Sequence, residues 1–491
     1  MRIFQKMIQS SIFLFLIIFI PYLGFSQQAQ DTVWTLEECI DYALGENLTI
    51  KRSELAVRDN EIQMSQSKAD LFPNFNFGGQ YNNLWGRSID PTTNLFSSQR
   101  IQSGGVQASS NVTIYGGSQL RNTIKRNKLN LEASSYDLET AKNDVMLNVT
   151  LAFLNIILNV ELLENAIYQL QTTQSQLETT RKQVEVGALP ISRELDLVAQ
   201  VESNEVNVIN AENQLRIAQL QLKQYLLIPA NVPFDIEIPE LDINEMDPVL
   251  VPVDEVFRTA EKIMPQVKSA DLGVESSDMN VKIARGGLDP MLFASGNMYT
   301  NYSSARTERI LDGEPTSQTI PIGYVEVPDP FNVQLPVFTD IDIPPTEAYT
   351  VGTQFKDNWS YSVGITMSIP IFNGLSSRAF FQRAKINAEQ SKILSQEVRL
   401  NLRQTIEIAY NDALAASKTY NASQKQVASL EESFRAAERS YNLGAMNVYD
   451  YQVASNNLFR ARSDLLRAKY NYIFTVKVLD FYLGKPLSLD N

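Results

Sequence analysis

Two stretches of this 491-residue chain read as copies of one another. WTLEECIDYALGENLTIKRSELAVRDNEIQMSQSKADLFPNF, from Trp34, aligns with LVPVDEVFRTAEKIMPQVKSADLGVESSDMNVKIARGGLDPML, from Leu250. Leu36 falls on Val253, Ala43 on Ala260, Ile50 on Val267 and Pro73 on Pro290, each pair 217 positions apart. Further along the spacing becomes 257: IYGGSQLRNTIKRNK, with Gly117, matches IFNGLSSRAFFQRAK, with Gly374, and VGALPISRELD, with Gly187, matches LGAMNVYDYQV, with Gly444. The second copy is therefore 40 residues longer between its proline and its glycine. A period this long is no solenoid repeat. It describes two structural halves, residues 27–228 and 253–491, joined by a Pro-rich connector over 229–252. Each half reads as helix, two strands, long helix, tight turn, helix. Seven prolines, from Pro315 to Pro345, fall in a long insertion at about 303–357, so it and the connector are expected to be irregular.

The strands carry period-two alternation. Phe75, Phe77, Tyr81 and Trp85 oppose Asn74, Asn76, Gln80 and Asn82; Val106, Ala108, Val112 and Ile114 oppose Gln107, Ser109, Asn111 and Thr113. In the second half, Trp359, Tyr361, Val363, Ile365, Met367 and Ile369 oppose Asn358, Ser360, Ser362, Thr366 and Ser368, and a weaker strand runs from about Leu292 to Tyr302. Such alternation suits a half-buried sheet or a barrel with lipid outside and water inside. Strand length near that of a tilted membrane strand, and aromatics near the strand ends, favour the barrel. Four strands cannot close one, and an open edge is not tolerated in lipid, so several chains must share it.

The helices are long. Residues 118–186 contain no proline, and Val149, Ile156, Leu163, Leu170, Leu177 and Val184 recur every seven residues. The second half repeats this spine as Ile406, Ala413, Tyr420, Val427, Phe434 and Tyr441. Sustained heptads describe helices packed side by side with coiled-coil geometry. At 1.5 Å per residue such a helix reaches roughly 100 Å. Gly187 and Gly444 supply the left-handed caps that turn the chain back.

Composition narrows the function. The chain has no histidine and one cysteine, Cys39, which removes the commonest general base, a disulfide and thiolate metal clusters. No catalytic, metal or cofactor site is expected, and no phosphate-binding glycine loop precedes a helix. A net charge of -14 disfavours nucleic acid as a partner. Arg2 and Lys6, the apolar run Ile12–Ile20 and small residues up to Ser26 read as a signal peptide over 1–26, and no later stretch reads as a membrane-spanning helix.

The duplicated order, the turns VGALP and LGAMN, and the C-terminal stretch NVYDYQVASNNLFRARSDLLRAKYNYIFTVKVLDFYLGKPL together resemble the TolC-type outer-membrane factor family, from Trp34 to Pro486. The resemblance implies a mixed α and β membrane protein: a homotrimer whose 12-stranded transmembrane β-barrel, four strands per chain, is continuous with an α-helical coiled-coil barrel in the periplasm. The partners it implies are outer-membrane lipid, a periplasmic adaptor (membrane fusion protein) and an inner-membrane transporter, in efflux or type I secretion. Adaptor contact would fall on Val186, Gly187, Ala188, Leu189, Leu443, Gly444, Ala445 and Met446. The periplasmic gate would involve Asp450 as an acid ring favouring cations and Tyr441 as a tie. Arg193, where an acid is expected, would tie to Asp450 or Asp196. An exported structural coiled coil without channel activity is the alternative. Cargo, and whether the 303–357 insertion covers the outer mouth, are not decided by the sequence.

Overall fold

A computed structural model describes residues 33–239 and 251–486, apart from 90–93, 95, 99, 310–312 and 328–332. The expected signal peptide lies outside the described residues, as does 240–250 of the connector. Helices α1 (Leu36–Glu46) and α2 (Leu48–Ala69) lead into strands β1 (Asn76–Leu84) and β2 (Ile101–Gly116), then helices α3 (Gln119–Glu185) and α4 (Ile191–Leu226). The order recurs as α5 (Val253–Ile263), α6 (Pro265–Gly286) and β3 (Met291–Ser303). An insertion follows with β4 (Thr316–Val327), β5 (Val333–Ile343) and α7 (Val351–Asp357), then β6 (Ser360–Ser368), α8 (Ser376–Asn442) and α9 (Val448–Tyr482). Helices α1 and α5, and α2 and α6, begin and end 217 positions apart; α3 and α8 begin and end 257 apart.

Local chemistry sets these bounds. Thr35 and Glu38 form a reciprocal capping box at the start of α1. The sequence reading made α1 and α2 one helix, but Asn47 is extended between them. Its side chain accepts from the Thr49 N–H at 2.9 Å and donates to the Tyr225 carbonyl at 3.2 Å. Met264 makes the same break in the second half, where the following Pro265 disfavours helical backbone before it.

The chain divides into two units. The first comprises Met1–Glu54, Leu138–Met264 and Leu400–Asn491. Its core packs Leu36, Cys39 and Ala43 of α1 with Val149, Phe153, Ile156 and Ile157 of α3, Leu222 and Leu226 of α4, and Ile473 of α9. Helix α3 does hold one window apolar enough to cross a membrane, contrary to the sequence reading. Its apolarity has another use: 44% of that window is buried, and α3 supplies much of this core. Along the heptad spines Ile406, Ala413 and Val427 are buried too, while Tyr420 stacks on Tyr472 at 6.0 Å.

The second unit comprises Leu55–Asp137 and Pro265–Arg399. Its four-stranded antiparallel sheet has the order β6-β3-β2-β1. Directly opposed residues share a face, so one row across the sheet is Phe77, Ala108, Met298 and Tyr361. The next row, on the other face, is Asn76, Ser109, Asn297 and Ser362. Val112, Ala294 and Ile365 continue the apolar face. That face is unusually bare for a folded chain: Phe77 is 72%, Tyr361 78% and Val363 85% exposed. The strand that looked weakest in the sequence, β3, has 13 residues and pairs with both neighbours. Ile114 leaves the alternation, because a bulge between Thr113 and Tyr115 shifts the register there.

Among its described residues the insertion is largely ordered strand. β4 and β5 pair as an antiparallel ribbon through Pro321 and Pro336, with one register shift at Val337/Phe338. A two-stranded ribbon has outward-facing backbone positions that bond to nothing, and proline is tolerated there. Where β2 ends and α3 begins, Gly117 (φ +57°) lies against Gly286, the last residue of α6. A Cβ built on Gly117 would stand 2.2 Å from the Gly286 carbonyl oxygen.

Candidate functional site

The two turns that join α3 to α4 and α8 to α9 are built alike. Gly187 (φ +74°) donates to the Val184 carbonyl at 2.9 Å and Ala188 to the Gln183 carbonyl at 2.8 Å; Gly444 (φ +73°) donates to Tyr441 at 2.9 Å and Ala445 to Ser440 at 2.9 Å. Both are Schellman caps, which need a left-handed residue at the glycine position. Pro190 starts α4 without a side-chain cap, whereas Asn447 caps α9 by accepting from the Asp450 N–H at 2.9 Å. These caps display apolar side chains instead of hiding them. Val186 is 80% and Leu443 84% exposed, and the two are 257 positions apart, so each half offers the same knob. Gly187, Ala188, Gly444 and Ala445 are exposed as well, and Leu189 and Met446 partly so.

The expected gate residues are placed differently within one chain. Tyr441 stacks on Tyr451 at 4.8 Å, with Phe434 against the same ring at 5.5 Å. Burial, then the nearby Glu438, pushes the Tyr451 hydroxyl up to about 12. Asp450 receives a hydrogen bond from the Asn447 amide at 2.7 Å. Among the described residues no ion pair joins Arg193 to Asp196 or Asp450 within the chain. An ion pair that does link α3 to α4 at this end is Arg181 with Glu194, at 3.0 Å. Sequence reasoning missed it because Glu194 adjoins Arg193 and belongs to no motif.

Also missed is how polar the helix contacts are. Asn204 donates to Thr173 at 2.8 Å, Asn165 to Ser463 at 2.9 Å, and Glu161 accepts from Tyr470 at 2.6 Å beside Lys469. Burial and that carboxylate raise the Tyr470 pKa far above its ordinary value. Arg462 binds Glu431 at 2.7 Å between α9 and α8. A concave face of about 810 Å³ over α3, α4 and α9 is lined by Asn155, Asn207, Asn210, Gln214, Arg460 and Arg467 among others. It offers water and polar solutes hydrogen bonds but gathers no nucleophile with a base. The apolar heptad spine is blind to these amides, although on α4 they keep a seven-residue spacing of their own, Gln200, Asn207, Gln214 and Gln221, which could have found them.

Comparison with known proteins adds the following. The profile of the family described as Outer membrane efflux protein matches residues 39–226 and 257–485. Outer membrane protein TolC of Escherichia coli K12 is 22% identical over 444 residues, 88% of this chain and 79% of that protein. Alkaline protease secretion protein AprF of Pseudomonas aeruginosa is 31% identical over 124 residues, 25% of this chain and 26% of that one. Among solved structures, CusC superposes with a TM-score of 0.69 at 16% identity, covering 94% of this chain and 96% of that chain. The Campylobacter jejuni CmeC outer membrane channel superposes at 0.69 and 17% identity, covering 91% and 85%.

Proposed function

Because this chain belongs to the outer membrane efflux protein family, we propose that it is one third of a passive outer-membrane exit duct, loaded by an inner-membrane pump through a periplasmic adaptor. In this reading each chain contributes β1, β2, β3 and β6 to a shared 12-stranded barrel, and the helices continue it as a periplasmic tunnel. The exposed knobs Val186 and Leu443, with the turn residues around them, meet the adaptor. Contact there shifts a resting closed population toward an open one. The chain supplies no chemical step; the pump supplies the energy and selects the cargo.

The observation that carries this reading is the sheet itself. One face is apolar and bare, the other polar, and among the described residues the outer edges of β1 and β6 are unpaired. Such a sheet is stable in hydrocarbon only when its edges close on other copies. Apolar residues at heptad spacing on the flanking helices, Leu55 with Ile62 and Ile386 with Ile393, are likewise exposed in one chain. A structural coiled coil would leave both features without purpose.

The duplication specifies how the edges meet. Moving the β2–β3 register by the two repeat spacings sets Ile365 of β6 opposite Tyr81 of the next chain's β1, and Tyr361 opposite Trp85. Tyr81→Cys combined with Ile365→Cys should therefore oxidise to covalent trimers, since opposed strand residues lie within disulfide reach. Tyr81→Cys with Thr366→Cys, on opposite faces, should not. The native Cys39 will not interfere: it is fully buried, and burial, then Glu38, pushes its thiol up to about 12. Monomers from both double variants would end the shared-barrel reading.

The gate remains a proposal between chains. Arg193 has no acid partner among the described residues of its own chain, and we propose that it ties to Asp450 or Asp196 of a neighbour. Arg193→Glu or Asp450→Lys alone should raise leakage of a large, normally excluded antibiotic by about ten-fold, since a charge-assisted bond contributes roughly 1.5–3 kcal/mol. The double reversal should restore the barrier. Equal leakage from single and double variants would show that no such tie exists.

A further inference from the structure

We propose that the β4–β5 ribbon packs its apolar face against the same ribbon of the other two copies and so closes over the outer mouth of the duct. This rests on the trimeric reading above.

The two faces of the ribbon differ in kind. Its register puts Val325 opposite Leu335, Gly323 opposite Val337, Ile320 opposite Thr339 and Gln318 opposite Ile341 on one, mainly aliphatic face; the other is mixed, with Tyr324 opposite Pro336 and Pro321 opposite Phe338 between the polar pairs Glu326–Gln334 and Thr319–Asp340. Ile322 is the extra residue of a bulge opposite Val337 and Phe338, and it keeps the two faces in phase along the ribbon. Val325 and Leu335 are more than half exposed, and Ile341 and Ile343 are exposed as well. An isolated two-stranded ribbon is marginal in water at best, so an apolar face of this length needs a cover.

Its base is rigid. Gln354 of α7 is fully buried, donates to the Ser303 carbonyl at 2.9 Å and the Tyr349 carbonyl at 2.7 Å, and accepts from the Ser303 N–H at 3.0 Å. Thr307–Arg309 pairs with Thr346–Ala348, Thr300 donates to the Phe355 carbonyl, and Arg306 lies over the Tyr349 ring. The ribbon is therefore held at the end of β3 and leads back into β6, the edge strand at which chains join.

Three observations select the cover. Lipid is excluded, because both ribbon edges are open and hydrocarbon does not tolerate open edges. Continuous edge-to-edge pairing is interrupted by Pro321 on β4 and Pro336 on β5, which leaves the apolar face as the surface for association. Identical ribbons carried on one barrel are held near one another, with no further partner to recruit. Reach is sufficient: 11 paired residues extend roughly 35 Å, and a barrel of 12 strands tilted about 40° has a radius of only about 12 Å.

The test uses full-length protein carrying Leu335→Cys or Gln334→Cys, treated in the membrane with a short bismaleimide. The Tyr81→Cys/Ile365→Cys pair runs in parallel as the measure of trimer formation. The proposal expects chain-to-chain adducts at Leu335 in about ten-fold excess over Gln334, and longer open dwell times in planar bilayers for Leu335→Asp than for Gln334→Asp. Covalent trimers through the barrel, with no excess at Leu335 and equal dwell times, would overturn the ribbon closure and leave the duct intact. Adducts from Leu335 to a different protein would overturn it as well. Failure of the barrel cross-link would remove the trimer and the closure together.

Discussion

Replacing Gly117 with valine is expected to leave almost no folded protein in the outer membrane. Gly117 sits at φ +57°, where a β-branched residue is an outlier. Its new Cβ would fall 2.2 Å from the Gly286 carbonyl oxygen and 2.6 Å from the Gly286 Cα. Both contacts are with backbone, so no side chain can rotate away. Strain of about 1–2 kcal/mol for the left-handed backbone adds to an overlap that costs about 1–3 kcal/mol even in cores that can relax. Gly296, which has open space at its Cβ position, is the control: Gly296→Ala should stay within about 0.5 kcal/mol of the native chain. Urea unfolding in detergent, with outer-membrane yield, measures both. Native yield for Gly117→Val would mean that the close contact is not needed.

Ile365→Lys is expected to abolish the heat-stable trimer. Ile365 lies mid-strand in β6, opposite Ala294, and is 69% exposed on the apolar face. A lysine at the bilayer midplane of a barrel costs about 2–4 kcal/mol. In the proposed trimer three copies share one barrel, so the assembly bears that cost three times over. Thr366→Lys, one residue on and facing the polar side, should assemble normally. Mobility on unheated gels separates the outcomes, and assembly of both variants would show that this face does not meet lipid.

Much of the architecture is legible in the sequence because its signals are local. Glycine at Gly187 and Gly444 encodes a cap, and alternation from Tyr361 to Ile369 encodes a strand. The heptad spine marks α3 and α8, whose bounds fall 257 positions apart as the repeat requires. What was not legible depends on partners distant in sequence. Ile114 keeps its alternation on paper and loses it to the register of β3. Pro321 and Pro336 read as breakers until their strands pair as a ribbon with free edges. At the tips, Tyr441 could be read as a tie between helices, but its nearest use in the chain is to stack on Tyr451. The Arg181–Glu194 pair crosses a turn whose geometry the spacing alone does not give.

The contact between Gly117 and Gly286 bears on how a closed ring could deform. Shifted by the repeat, it becomes Gly374 of one chain and Ala69 of the next in the trimeric reading. Gly374 has a left-handed φ of +63° and open space before it in the single chain. Ala69, however, carries a methyl where Gly286 has only hydrogen, and a methyl on Gly286 would stand 2.3 Å from the Gly117 carbonyl oxygen. In that reading the joint between chains would close less tightly than the joint inside each. A ring assembled this way would alternate three tight joints with three looser ones, and any widening would be concentrated where one chain meets the next.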